Sequence, residues 1–128
     1  MLPVAGGEVT QVRIDYAFGL IIETYDERRA STSIRIGSPF EYVQDGVTLR
    51  VDPEQTEQLA PLLTLHKAGV NEGFAIKDGN LVLRFDGGRE IRVAPNEQYE
   101  AWEASGHLAP IERKFSLVAV PSGGVALF

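Results

Sequence analysis

Apolar and polar residues alternate at every second position through most of this chain, and that period admits little besides β-strands. Val12, Ile14 and Tyr16 alternate with Arg13 and Asp15, and Phe18, Leu20 and Ile22 with Gly19, Ile21 and Glu23. Thr32, Ile34 and Ile36 alternate with Ser31, Ser33 and Arg35, and Val47, Leu49 and Val51 with Thr48 and Arg50. Further on, Leu81, Leu83 and Phe85 oppose Val82 and Arg84, Ile91 and Val93 flank Arg92, and Phe115, Leu117 and Ala119 alternate with Ser116, Val118 and Val120. A last strand is expected from Val125 to Phe128. Successive strand side chains point to opposite faces, so each run presents one face to a core and one toward water.

Turn chemistry falls between these runs. Asp45-Gly46, Asp78-Gly79 and Asp86-Gly87-Gly88 supply residues that tolerate positive φ, as tight hairpins require. Pro121-Ser122-Gly123-Gly124 separates the last two strands, and Asp26-Glu27-Arg28-Arg29 reads as a longer, charged hairpin tip. Connections this short join antiparallel neighbours, so a meander is the simplest topology.

One segment has another period. Leu59, Leu62, Leu63 and His66 form a helical stripe between Asp52 and Gly69. Asp52 before Pro53 resembles an N-cap followed by proline at the first helical position, with Gln55 as a capping-box partner and Gly69 as the stop. Pro61 opposes a regular α-helix, because an interior proline removes a hydrogen bond and clashes with the preceding turn at a cost of about 3 kcal/mol. A kink, or a loose turn followed by a short helix from about Ala60, is expected. Tyr99 and Trp102, three apart, suggest a second short helix or turn over 97–104.

The two halves echo each other. Val9, Val12 and Ile14, then Leu20 and Ile22, then Ile34 and Ile36, then Phe40-Glu41-Tyr42 make one series. Val70, Gly73 and Ala75, then Leu81 and Leu83, then Ile91 and Val93, then Tyr99-Glu100-Ala101-Trp102 make the other, with the first two blocks at one constant offset. The expected fold is therefore mainly β, a β-rich α+β domain. Two related antiparallel three-stranded meanders form a curved sheet, open barrel or sandwich, with one short kinked helix over about 54–68 closing one end. Residues 1–7 read as a flexible leader without signal-peptide character, and 8–128 as a single domain with pseudo-repeats over about 9–51 and 70–102.

Composition narrows the function classes. With 128 residues the chain has the size of one domain, large enough for one substantial core. It holds no cysteine, so disulfides, thiolate metal sites and cysteine nucleophiles are excluded, which fits a cytoplasmic setting. The net charge of −6 opposes phosphate neutralisation, so no nucleic-acid partner is expected. The short basic pairs Arg28-Arg29 and Arg113-Lys114 are each flanked by acidic residues. The apolar run at Gly19-Leu20-Ile21-Ile22 ends at Glu23, far short of the roughly 20 residues that span a bilayer, so no membrane partner is expected.

No reactive constellation stands out. His66 lies in the helical stripe and reads as a boundary residue; His107, in Ser105-Gly106-His107, reads as an exposed loop residue. Neither has the spacing of a zinc ligand set. The serines form no G-x-S-x-G elbow, and the paired glycines lie between strands rather than before a helix, so they are turns and not phosphate loops. The carboxylates read as a solvated acidic surface. Asp15 is the exception, placed to pair across the sheet with Arg35. Neither catalytic residues, metal ligands nor a cofactor are assigned. The candidate binding surface is the aromatic set Phe40, Tyr42, Tyr99 and Trp102, weighed against packing of the same residues in the core.

The segments Val12-Arg13-Ile14-Asp15-Tyr16-Ala17-Phe18, Ile36-Gly37-Ser38-Pro39-Phe40, Asp52-Pro53-Glu54, Tyr99-Glu100-Ala101-Trp102-Glu103 and Val120-Pro121-Ser122-Gly123-Gly124, in that order, resemble a family of small actinobacterial proteins known as a domain of unknown function. The resemblance runs from about Val9 to Phe128. It implies stand-alone cytosolic proteins and assigns no activity, substrate or catalytic residue. Phe128 departs from the tryptophan expected there, and the loop Arg28 to Ser31 is longer than usual. The expected role is a protein-binding or accessory module whose partner is another protein or a second copy of the chain. A small-ligand carrier, with a pocket between the two sheet lobes and Trp102 near its mouth, is the alternative, and an enzyme using Asp15 or His66 comes last.

Overall fold

A computed structural model describes residues 2–25, 29–108, 113–121 and 123–127. Eleven strands are described: β1 (Glu8–Ile14), β2 (Phe18–Glu23), β3 (Ala30–Ile36), β4 (Phe40–Gln44), β5 (Val47–Val51), β6 (Val70–Ala75), β7 (Leu81–Phe85), β8 (Arg89–Val93), β9 (Trp102–Leu108), β10 (Arg113–Ala119) and β11 (Val125–Leu127). They form two antiparallel sheets, one of six strands in the order β1-β2-β3-β9-β10-β11 and one of five in the order β5-β4-β8-β7-β6. The fold is thus a sandwich of two open sheets rather than a closed barrel. Three acidic and basic residues of the expected charged tip, Asp26, Glu27 and Arg28, lie outside the described residues, as do Ser122 and Phe128.

The two meanders are present as β1-β2-β3 and β6-β7-β8. What the strand pattern did not reveal is where their trailing hairpins go. The β4-β5 hairpin follows β3 in the chain but pairs with β8, through Tyr42 opposite Ile91. The β9-β10 hairpin follows β8 but pairs with β3, through Ile34 opposite Ala104 and Ile36 opposite Trp102. Each half of the chain therefore completes the sheet founded by the other half. Local hydrophobic period cannot encode this choice, because either partner strand offers the same alternation.

The meanders meet along β1 and β6 in a reciprocal way. Val9 N–H donates to Ala68 and Val70 N–H to Gly7; Lys67 N–H donates to Val9 and Gly6 N–H to Val70. Glu8 and Gly69 bridge the two sets. These bonds exchange with one another at the constant offset that relates Val9 to Val70, as a local twofold axis requires. Both first strands also shift register at the matching place, between Val9 and Gln11 and between Val70 and Glu72. Gly6 and Lys67, at the same offset, both adopt positive φ (79° and 72°).

The inward faces are those the alternation marks in β2, β3, β7 and β8, with Phe18, Leu20, Ile22, Ile34, Ile36, Leu81, Leu83, Phe85, Ile91 and Val93 all buried. Phe18 of one sheet meets Phe40 of the other with ring centroids 5.9 Å apart, which joins the two layers. Gly106 lets β9 approach β3 closely: a Cβ there would collide with the Ser31 carbonyl oxygen.

Several expectations are corrected. The leader is docked: Leu2 and Val4 are buried and Leu2 N–H donates to the Gly73 carbonyl at 2.8 Å. Ile14 and Tyr16 are exposed, because the chain leaves β1 through Tyr16 at φ 71° and turns into β2. Val47 and Leu49 are exposed although Val51 is buried, since β5 lies at a sheet edge. The segment 97–104 is not helical; from Trp102 it is β9, and His107 lies within that strand rather than in a loop. The helix is a 3-10 helix over Thr56–Leu65 with Pro61 inside it, and its capping differs: Asp52 Oδ1 accepts from Glu54 N–H, while Gln58 rather than Gln55 reaches back to Asp52 N–H.

Candidate functional site

The aromatic set does not form one surface. Phe40, Tyr42 and Trp102 are at most 1% exposed and belong to the core, while Tyr99 alone is open, at 44%. Trp102 is fixed from within, its Nε1–H donating to the Gly79 carbonyl at 2.8 Å. Beside it lies only a hollow of about 60 Å³ bounded by Arg35, Gly37, Glu100 and Glu103. Trp102 belongs, with the inward residues of both sheets, to one buried hydrophobic cluster. Asp15 does face Arg35, at 3.7 Å, as a solvent-exposed pair. His66 is exposed on the helix end, its Nε2 3.2 Å from the Thr10 carbonyl oxygen, in a shallow saddle against β1. Among the described residues no group of three His, Asp or Glu side chains converges as a metal site.

The best-formed concave site lies on the outer face of the five-stranded sheet. It is a groove of about 380 Å³. Its long axis follows one row across the sheet: Arg50 of β5 opposite Glu41 of β4, Glu41 opposite Arg92 of β8, and Arg92 opposite Val82 of β7. These are the outward positions of four strands, three of them polar and the fourth Val82, because the pleat that buries Phe40, Leu81 and Ile91 turns them all to the other face. Phe40 and Leu81 underlie the groove, and Ile76, Pro39 and Pro95 form apolar walls.

Three turns build the rim. Between β6 and β7, Asp78 accepts from Asn80 N–H at 3.0 Å, and Gly79 takes a φ of 100° that closes the hairpin. Hydrogen bonds from Asn80, side chain first and backbone second, hold the Asp78 carboxyl below its ordinary pKa. The Gly124 N–H donates to the Asp78 carbonyl at 2.9 Å, so the β10–β11 loop and Trp102 both brace this hairpin from behind. The linkers after β3 and β8 supply Ser38 and Asn96, whose side chains meet at 3.4 Å, while Asn96 Oδ1 accepts from Gln98 N–H at 2.8 Å. Their prolines, Pro39 and Pro95, fix φ where each chain turns off the sheet.

The electrostatics are uneven along the row. Arg92 is tied to Glu90 at 2.6 Å, and Glu90 is shared with Arg84, itself paired with Glu72 at 2.7 Å. Arg84 is raised above its ordinary pKa by the Glu90 hydrogen bond first and the Glu72 bond second. Arg50 and Glu41 make no ion pair with any described residue, although the register sets them opposite each other. The groove therefore presents two guanidinium groups, that of Arg92 already tied to Glu90, with one carboxylate and two amide side chains over an apolar floor. That set recognises charged and amide groups by hydrogen bonding.

None of Arg50, Glu41, Arg92, Asn80 or Asn96 was singled out from the sequence. The signal available was the outward place of Arg50 and Arg92 in their strands. Bringing them onto one row needs Glu41 between them, which only the crossing of the β4-β5 hairpin into the other sheet provides.

Among the described residues no helix is long and apolar enough to cross a membrane. In comparison with known proteins, the chain matches a family of unknown function (DUF6188) across residues 1–128. No curated protein and no solved structure matches it.

Proposed function

The chain belongs to that family of unknown function over residues 1–128, and we propose that it is a cytoplasmic protein-binding module whose recognition site is the groove over Phe40 and Leu81. One observation carries the reading: Arg50 and Glu41 stand without ion-pair partners among the described residues, beside two amide side chains, on a braced rim above an apolar floor. A site held in shape before binding loses less ordering entropy when a partner arrives. The occupant that fits is a short extended segment of another protein with one acidic side chain flanked by aliphatic ones. Its carboxylate meets the Arg50 fork, its backbone amides meet Asn80, Asn96 and Glu41, and its apolar side chains cover Ile76 and Pro95.

The test is a titration of nitrogen-labelled protein with the acetylated, amidated tripeptide Leu-Glu-Leu, read from backbone amide shifts. Shifts should centre on Glu41, Asn80, Val82 and Arg92. Arg50→Gln should weaken the peptide about tenfold, the equivalent of about 1.4 kcal/mol. Absence of shifts at millimolar peptide, or shifts confined to another face, would overturn the reading. Hexanoate serves as the control for a free small ligand, the second reading. The groove volume sits at the small end of the range for such sites, about 300–1,000 Å³, and saturation by hexanoate alone would favour it.

A further inference from the structure

Of the four sheet margins, β5 and β11 carry no further strand among the described residues, and β11 is only 3 residues long against 5 for β5. β1 and β6 protect each other through the reciprocal bonds around Glu8 and Gly69. In the relation that maps one meander onto the other, β10 corresponds to β5, since each is the outer strand of a crossed hairpin. The edge of β10 is covered by β11, through Leu117 opposite Leu127 and Ala119 opposite Val125. The corresponding edge of β5 carries no strand among the described residues.

That edge is open and unprotected. Natural sheets blunt exposed edges with proline, bulges or several charges. β5 reads Val47-Thr48-Leu49-Arg50-Val51, without proline, with an unshifted register against β4 and with one charge. Val47 is 57% and Leu49 37% exposed. The two-residue turn at Asp45-Gly46 makes Gln44 and Val47 a hydrogen-bonded pair, so Tyr42–Leu49 and Phe40–Val51 bond likewise. The N–H and C=O groups of Thr48 and Arg50 then point away from the sheet.

We propose that β5 is an interface with a second copy of this chain, the two β5 strands pairing antiparallel about a twofold axis through Leu49. The strand is self-complementary in that register. Thr48 faces Arg50 of the second copy and exchanges both backbone bonds with it, and Arg50 faces Thr48 of that copy in return. All four outward groups are thereby satisfied. On the inner face Leu49 meets its own copy and Val47 meets Val51 of the other chain, so the apolar stripe continues from one core into the next. On the outer face the two Arg50 side chains stand diagonally, about 7–8 Å apart at the backbone, each beside Glu41 of its own chain. Two five-stranded sheets become one of ten, with a groove on either side of the axis and both on the same face. This inference rests on the strand edge and stands or falls separately from the ligand of the groove.

Light scattering coupled to size exclusion should give a dimer mass at high micromolar concentration, and Leu49→Lys should give a folded monomer whose melting temperature, unlike that of the wild type, no longer rises with protein concentration. The register is tested by disulfide trapping, since the native chain has no cysteine. Leu49→Cys should oxidise to a covalent dimer, because residues facing each other in a non-hydrogen-bonded pair have Cα atoms about 4.5 Å apart, within disulfide reach. Val47→Cys, although more exposed, should stay unlinked, and the double variant Val47→Cys/Val51→Cys should link. A monomeric wild type, a dimer that survives Leu49→Lys, or Val47→Cys linking as fast as Leu49→Cys would each overturn the proposal.

Discussion

Burial alone would push the Glu90 carboxyl up from its ordinary pKa, yet the hydrogen bonds from Arg84 and then Arg92 outweigh that cost and leave it lowered. A carboxyl group depressed in the folded state adds stability that is fully present above its unfolded pKa. That stability is lost as pH falls through the folded value. The thermal midpoint of the wild type should therefore drop as pH falls below about 5, and Glu90→Gln should flatten the acid side of the profile. At neutral pH the same variant should lose about 1 kcal/mol, because the network is half open to water and screened. Melting curves across the acid range check both statements. At this scale the sequence was legible where two residues lie close within one meander, as with Asp15 in the β1–β2 turn and Arg35 of β3. It was opaque where contact depends on chain segments far apart. Trp102 and Tyr42 show the limit: aromatic side chains serve cores and interfaces equally well, and only the packing around them decides.

The 3-10 helix carries its own record in the sequence. Its buried residues are Leu59, Leu62 and Leu65, spaced three apart, whereas the α-helical stripe would have turned Leu63 inward. Leu63 is exposed instead. Three residues per turn stack every third side chain on one face, and the tighter coil avoids the clash that Pro61 would make with the carbonyl four residues before it. The proline and the leucine triplet together were the signal, and a helical reading at the α period passed over it. Leu62→Ala should cost about 2–5 kcal/mol, as for a buried leucine, and Leu63→Ala less than about 0.5 kcal/mol. Urea unfolding of the two variants separates the geometries, because an α-helical stripe would make both costly. The strands of the two meanders were legible for the opposite reason. Their period of two is set by the pleat itself and survives whichever neighbour they acquire.

For the whole molecule, the sequence showed two matching sets of strands and missed that they trade hairpins. It also took the first residues as loose. Leu2 and Val4 instead pack against Gly73, where a Cβ would collide with the Val4 side chain. Two apolar side chains set apart from the strands by Gly6-Gly7 are too few to show a periodicity from which burial can be read. Deleting residues 1–5 should lower stability by about 3–6 kcal/mol, from two buried side chains at about 1.5–3 kcal/mol each. Chemical denaturation of the truncated chain measures it. An unchanged midpoint would mean that the segment leaves the core at no cost.

The traded hairpins also dictate how the chain can be born. Until residues 102–108 have been synthesised, β3 has no neighbour on its far side, so the nascent first half carries a naked strand margin out of the ribosome. Contacts this distant along the chain are slow to form, because a long loop must close before any of them gains stability. The two halves consequently have no separate folding life, and a break in the backbone between them would leave two incomplete pieces, each waiting for the other.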